Sequence, residues 1–249
     1  MTAADCEALR ALHVPGRPLI LPNAWDADSA RLVVEAGFPV VATSSAAVAA
    51  ALGYADGEQA PPAEMFAAAG RIARAVDVPV TADAESGYGL SGADLAAALI
   101  DAGTVGCNFE DTVPGKGIRP LAEQVELLGA LREAAGDRLV VNARVDAFLR
   151  AEDENDALDE AVDRARAYLA AGADCVFPIH VRSADLLKSF VDAVSPAAVN
   201  ATYFPAGPRL AELGALGVAR VSLGTGLWRL ARTAIGNHLE TLAAGNDVY

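Results

Sequence analysis

Basic residues are scarce in this chain: 19 lysines and arginines stand against 33 acids, a formal charge of −14. So acidic a surface offers no footprint for nucleic acid or an anionic membrane, which both need clustered cations. It does not exclude a small anion, provided the binding site brings its own cation. Cysteine is also rare. Cys6, Cys107 and Cys175 show no short metal-binding spacing, and an odd number suits a reduced cytosol better than a disulfide framework. No apolar run reaches membrane-spanning length, and Met1–Ala11, with Asp5, Glu7 and Arg10, is too polar for a secretion signal. The expectation is a soluble, cytoplasmic protein with neither nucleic-acid nor membrane partners. Nucleotide motifs are missing as well: there is no Walker loop, and Gly87-Tyr88-Gly89 lacks the third glycine and downstream acid of a dinucleotide fingerprint.

What is present is an alternation. Hydrophobic residues make up 53% of the chain, led by alanine, the strongest helix former. Short β-branched runs at Pro18–Pro22, Pro39–Thr43, Val78–Asp83, Val105–Glu110, Arg138–Ala143, Asp174–Pro178, Ala197–Ala201 and Ala219–Leu223 read as strands. Helical patterns near Asp26–Ala36, Pro62–Val76, Ser91–Asp101, Leu121–Ala135, Glu154–Ala171, Ser183–Ala193, Pro208–Leu216 and Gly226–Ala244 separate them. Ala-Gly pairs at 36–37, 102–103 and 171–172 mark helix ends before strands. Eight near-continuous apolar strands between helices imply a parallel sheet buried on both faces. A single domain over 1–249, folded as a (β/α)₈ TIM barrel, fits the length and the count. Periodicity alone also admits an open doubly wound sheet.

In a parallel α/β fold, chemistry sits at the carboxyl ends of strands. There the polar residues fall: Asn23, Trp25 and Asp26; Ser44 and Ser45; Asp83 and Glu85; Glu110 and Asp111; Arg144 and Asp146; His180; Asn200 and Thr202; and Gly224-Thr225-Gly226. Buried carboxylates are costly unless paired or bound to metal. Asp83, Glu85 and Glu110 at one barrel mouth would repel each other, and a divalent cation relieves that. Oxygen-only ligands favour Mg²⁺ or Mn²⁺ over zinc. Such an ion suits a small 2-oxo-carboxylate substrate and a developing enolate oxygen. Arg144 offers a fork for the substrate carboxylate. Ser44, Ser45, Trp25 and Asn200 complete the candidate substrate-binding set, and His180 is a candidate acid or base. Each has a plainer alternative: Asp83 as a turn residue, Arg144 with Asp146 as a structural ion pair, His180 as a core histidine.

The run Asp83-Ala84-Glu85-Ser86-Gly87-Tyr88-Gly89 resembles the acidic metal motif of the isocitrate lyase/phosphoenolpyruvate mutase superfamily. Leu21-Pro22-Asn23-Ala24-Trp25-Asp26, Ser44-Ser45, Leu52-Gly53-Tyr54-Ala55-Asp56, Glu110-Asp111 and Asn142-Ala143-Arg144 continue the likeness in order, from about Leu19 to Leu242. The resemblance implies a phosphoenolpyruvate mutase-like barrel whose last helix, Gly226–Ala244, is swapped between subunits of a homo-oligomer, a dimer or tetramer. It implies Mg²⁺ held partly through water by Asp83 and Glu85, with Glu110 and Asp56 nearby. It places Ser44, Arg144 and His180 at the substrate. Two departures stand out. Glu85 replaces the usual Asp. The segment Thr112-Val113-Pro114-Gly115-Lys116-Gly117-Ile118-Arg119 is short and lacks the lysine–cysteine motif of isocitrate lyases, which argues against their reaction. Lys116 is a candidate catalytic residue on that small lid. The leading reading is carbon–carbon cleavage or decarboxylation of an oxaloacetate-like acid. The alternatives are P–C chemistry, as in phosphoenolpyruvate mutase or phosphonopyruvate hydrolase, and a catalytically silent oxo-acid-binding barrel. No strand end carries the lysine of a Schiff-base aldolase.

Overall fold

The computed structural model describes residues 2–248. In chain order the strands are β1 (Leu19–Leu21), β2 (Asn23–Ala24), β3 (Val41–Thr43), β4 (Val80–Asp83), β5 (Gly106–Glu110), β6 (Thr112–Val113), β7 (Gly117–Ile118), β8 (Val140–Val145), β9 (Cys175–Pro178), β10 (Ala198–Thr202) and β11 (Arg220–Ser222). The helices are α1 (Ala3–Ala11), α2 (Ala27–Glu35), α3 (Ser45–Leu52), α4 (Pro62–Ala75), α5 (Gly92–Asp101), α6 (Leu121–Ala135), α7 (Ala147–Arg150), α8 (Leu158–Ala170), α9 (Ala184–Val194), α10 (Leu210–Ala215) and α11 (Gly226–Ala243). Nine strands form one sheet in the order β1-β11-β10-β9-β8-β5-β4-β3-β2, every pair parallel. Because β1 and β2 are two halves of one strand, pairing with β11 and β3 respectively, the ring closes with eight positions. Asn23 seals the joint: its amide donates to the Thr43 carbonyl at 2.8 Å, and its Oδ1 accepts from the Leu223 amide at 3.0 Å. The doubly wound alternative is thereby excluded.

Side chains alternate along each strand, so one set faces the helices and the other the barrel axis. The outward set, including Cys107, Phe109, Val141, Ala143, Val176, Val199 and Val221, joins the helix-facing core. The inward set is layered. At the bottom, Leu19, Leu21, Val40, Ala42 and Val140 pack with Cys6 and Leu9 of α1, which plugs the ring. Gly106 makes room for that plug: a Cβ there would sit 3.0 Å from Leu9 Cδ2 and from Thr81 Oγ1. Asp174 ties the plug down, accepting from Arg10 Nε at 2.8 Å and from the Val141 amide at 2.8 Å. Above it, Asn108, Asn142, Asn200 and Arg220 form a polar waist. They are all buried. At the top stand the charged strand ends.

Three elements depart from the sequence reading. Helix α1 is short and mostly exposed, so it carries little periodicity, yet Thr2 and Asp5 form a full capping box. Helix α3 is Ala/Val-rich all round, with Ser45, Ala47, Val48 and Ala49 buried, so no polar stripe marks it. The 112–119 segment is not a loose lid but an antiparallel hairpin of β6 and β7. Among the described residues, no helix is long and apolar enough to cross a membrane.

Candidate active site

Asp83 closes β4 at the mouth. Its Oδ2 accepts from the Ser45 amide at 3.1 Å and the Ser45 hydroxyl at 2.8 Å, while its own amide donates to Thr43 Oγ1 at 2.8 Å. It therefore caps the N-terminus of α3, where a carboxylate is favoured by the unpaired amides and the helix dipole. This corrects the expectation that Ser45 is a free donor for substrate. Ser44, also buried, makes no capping bond.

Two turns beside Asp83 are clasped together by a pair of glutamates. Glu58 Oε1 accepts from the Ser86 amide at 3.0 Å, the Ser86 hydroxyl at 2.7 Å and the Tyr88 amide at 2.8 Å. In return Glu85 Oε2 accepts from the Glu58 amide at 2.8 Å, and its Oε1 accepts from the Tyr88 hydroxyl at 2.8 Å. Glu58, Glu85 and Tyr88 all have positive φ, an uncommon conformation for non-glycine residues that the surrounding bonds must hold. Burial, with the Asp83 charge adding, pushes the Glu85 carboxyl up to about 7. Asp56, on the turn that Glu58 anchors, is also shifted upwards, by desolvation and by Asp83. Asp56 follows α3 rather than the second strand directly, as the sequence suggested. Replacing Glu58 by alanine frees three donors and releases both turns. The expected result is a 10–100-fold loss of kcat/KM, the range for residues that orient a site from behind. Faster amide exchange at Ser86 and Tyr88 should accompany it, with Glu58→Gln intermediate. Unchanged exchange at both amides would refute the clasp.

Across the mouth, Arg144 lies between two acids. Its Nε and Nη2 donate to the two carboxylate oxygens of Asp146 at 2.6 and 2.9 Å, and Nη1 pairs with Glu110. Burial opposes the charged guanidinium, but Glu110 and Asp146 hold its pKa above the ordinary value. Glu110 is itself pushed well above the usual carboxylate range by burial, and the negative charges of Asp146 and Asp83 outweigh part of the help from Arg144. Behind this trio, fully buried Asp111 accepts from the Tyr168 hydroxyl at 2.6 Å and the Asp146 amide at 3.0 Å. Asp111 and Asp146 are thus structural supports. Arg144 is not the unengaged fork that the sequence suggested: Asp146 and Glu110 already hold it.

The remaining candidates separate. His180 stands half-buried at positive φ, edge-on to Phe204 with ring centroids 5.5 Å apart. Burial, then Arg182 and Arg144, lowers its pKa, so it is neutral at physiological pH and electrostatically joined to the site. Lys116 is exposed on the β6–β7 turn, and it is not among the charges acting on Asp56, Glu85 or Glu110. Trp25 packs, partly buried, against the cluster of Val48, Met65 and Ala68 beside α3 and α4. Asn200 is fully buried and donates to Ser222 Oγ at 3.0 Å, so it belongs to the barrel waist and not to the substrate surface. Among the described residues, no three His, Cys, Asp or Glu side chains are gathered into a ready-made metal cluster. Asp83, Glu85 and Glu110 do meet at the mouth, each already engaged by other partners. Glu85 spends both oxygens on the clasp and Glu110 is drawn to Arg144. Asp83 leaves its Oδ1 for a cation. Mutual electrostatic strain among Asp83, Asp56, Glu85 and Glu110, with oxygen the only donor type, fits a hard ion held by few direct ligands and water.

The chain matches the phosphoenolpyruvate phosphomutase family over residues 9–243. It belongs to that family. A provisionally assigned phosphonomutase from Burkholderia cenocepacia J2315 superposes with a TM-score of 0.90 at 43% identity, covering 95% of this chain and 99% of the other. The 2-methylisocitrate lyase of Bacillus subtilis strain 168 is 32% identical over 201 residues, 76% of this chain and 65% of that enzyme. A 2,3-dimethylmalate lyase of the phosphoenolpyruvate mutase/isocitrate lyase superfamily superposes with a TM-score of 0.85 at 26% identity, over 96% of this chain and 87% of its own. The named relatives are thus one provisionally assigned phosphonomutase and two lyases.

Two residues of the family barrel's mouth and waist escaped the sequence reading. Glu58 was hidden because nothing in a short acidic turn distinguishes a buried acceptor from a solvated one. Arg220 was detectable: a cation inside the apolar run Val218-Ala219-Arg220-Val221 is out of place in a strand buried on both faces.

Proposed function

We propose that this chain is a lyase that cleaves or decarboxylates a small, oxaloacetate-like 2-oxo acid, with Mg²⁺ or Mn²⁺ as its cofactor. The observation that carries the reading is the acid cluster gathered at the mouth, where burial, with the Asp83 charge adding, raises the carboxyl pKa values of Asp56, Glu85 and Glu110 beside a paired Arg144. Asp83 and Asp56 would hold the ion, with Glu85 and Glu110 supporting them. Such an ion, when bound, supplies the positive charge that attracts the acid's oxo and carboxylate oxygens and steadies an enolate oxygen. Arg144 would turn the guanidinium edge that now pairs with Glu110 towards the substrate carboxylate, keeping Asp146 on its other edge. Ser44 lines the oxo-acid side, and neutral His180 orients a water molecule that supplies the enolate's proton and leaves as hydroxide, neutralised by the carbon dioxide or bulk solvent. The likeness to two lyases supports this choice. A screen of 2-oxo acids with Mg²⁺ or Mn²⁺, followed by product NMR, should show pyruvate-like product from a small diacid. Oxalate binding with no turnover of any 2-oxo acid would sink the reading and leave a silent binding barrel.

P–C bond chemistry is the second reading, favoured by the phosphonomutase-like relative. Cations for a phosphoryl group are sparse at this mouth. Lys116 is out on the hairpin, and Arg119 bonds the Ser86 carbonyl at 3.1 Å and Gln124. Phosphorus NMR with phosphonopyruvate separates the two readings: a shifted phosphorus resonance would replace the first by the second.

The raised Glu85 pKa gives a metal-independent prediction. An unfolded Glu titrates near 4.3 and this one near 7, so between those values the folded state binds more protons. Stability of the metal-free protein should therefore fall as pH rises from about 5 to 7. Glu85→Gln should flatten that slope in a thermal-unfolding series. An equal slope in both proteins would show that Glu85 is not the group responsible.

We also propose a homo-oligomer built on α11. None of its residues is buried, and Leu230, Ile235, Leu239 and Leu242 are exposed along it, an apolar face that a second copy of the chain would cover. Light scattering of Ile235→Glu with Leu239→Glu should show a monomer where the unaltered protein is larger. A monomeric unaltered protein refutes it.

A further inference from the structure

Arg220 is the largest fully buried side chain among the described residues. It opens β11 near the barrel floor and crosses the ring: its Nη2 donates to Asn108 Oδ1 at 2.9 Å. In the ring order β11 and β5 stand four places apart out of eight, so the two residues face each other across the axis. Asn108 also accepts from Asn142 Nδ2 at 2.8 Å and lies in register with Asp83 on one side and Asn142 on the other. The guanidinium therefore lies just under the acids of the mouth.

Its surroundings are unusual for a buried charge. Arg220 forms no ion pair among the described residues, and its Nε and Nη1 have no protein partner. From below, His13 is kept neutral, its pKa held down to about 4 by burial and then by Arg220 itself. Burial lowers Arg220 to about 10, which still leaves it charged at neutral pH. An unpaired buried cation normally destabilises a fold, and a hydrophobic side chain of similar volume is often neutral or stabilising in its place. Stability thus gives no reason for an arginine here. The mouth above it does. Asp56, Asp83, Glu85, Glu110 and Asp146 crowd one Arg144, and an anionic substrate must enter that field. In a weakly screened interior, a buried positive charge on the axis offsets it.

We propose that Arg220 is a positioning residue whose buried charge, set on the barrel axis beneath the mouth, lets an acid-rich site accept an anionic 2-oxo acid. It acts at a distance, through its field and through Asn108, and touches no reacting atom. The inference rests on the oxo-acid reading of the site but not on which bond is cleaved.

The test compares unaltered protein with Arg220→Met, close in volume and uncharged, and with Arg220→Lys, which keeps the charge. Two quantities are measured: melting temperature without ligand, and oxalate affinity by calorimetry in saturating Mg²⁺. The Met variant should melt about 2–4 °C higher, the shift for roughly 1 kcal/mol in a domain of this size. It should bind oxalate on the order of tenfold more weakly, as expected for one unit charge felt across about 10 Å at an effective dielectric near 20. KM on any substrate found should rise with it, while kcat stays within about threefold. The Lys variant should bind oxalate within about threefold of the original. A Met variant that fails to fold or melts lower makes Arg220 structural and overturns the proposal, as does one that binds oxalate unchanged. If no 2-oxo acid is turned over but oxalate binding shows this pattern, the lyase reading falls and the role of Arg220 stands.

Discussion

Asp83→Asn is expected to lower kcat/KM about a thousandfold while leaving the barrel folded. The change keeps the shape and an acceptor for Ser45, so α3 retains its cap and the melting temperature should hold or rise slightly. What disappears is the negative charge that Asp56, Glu85 and Glu110 all register. Without that charge the cluster loses the carboxylate best placed to hold a cation, and with it several kcal/mol of charge stabilisation in the transition state. About 4 kcal/mol corresponds to three orders of magnitude in rate. Steady-state kinetics on the substrate from the oxo-acid screen measures the loss. A decrease of less than tenfold would mean that Asp83 is only the helix cap its hydrogen bonds describe.

Arg144→Met should produce the opposite division of effects, a large loss of stability together with activity. Two carboxylates depend on this guanidinium: Asp146, fully buried and held by two bonds, and Glu110, only slightly exposed. Removing the shared cation strands both, and breaking a buried pair in this way costs about 3–5 kcal/mol. Urea denaturation should register that loss, and the double variant with Asp146→Asn should recover part of it, because one stranded charge is then gone. A single variant within about 1 kcal/mol of the original would show that Glu110 and Asp146 are solvated or protonated without Arg144. Arg144 is largely buried and paired twice, Arg220 fully buried and paired with no acid, so replacement by Met has opposite expected signs.

Much of the fold was legible because burial on both faces of a sheet leaves a strong trace. Each of the eight apolar runs became a barrel position, and Leu121–Ala135 is a helix over those same residues. The charged strand ends likewise lie together at the mouth, since a carboxylate after an apolar run has few other places to go. What was not legible depends on partner choice. That Asp83 would give one oxygen to Ser45, Glu85 both of its oxygens to Tyr88 and Glu58, and Glu110 its charge to Arg144 is decided by tertiary geometry. Residue type alone could not separate these commitments from metal ligation. Helix α3 was invisible for a related reason: a short helix buried on nearly every side has no amphipathic period to read. Asn200 marks the limit of strand-end reasoning. It lies in the middle of β10, where polarity belongs to the waist shared with Arg220 and not to the mouth.

The proposed chemistry requires a hard cation and an oxo acid to meet at Asp83. Crystals grown with Mn²⁺ and oxalate, with data collected at the manganese absorption edge, address this most directly. One anomalous peak per chain, bound to Asp83 and in contact with oxalate beside Arg144, is the predicted result. Ordered oxalate with no manganese at Asp83, or manganese bound elsewhere on the barrel, would contradict it.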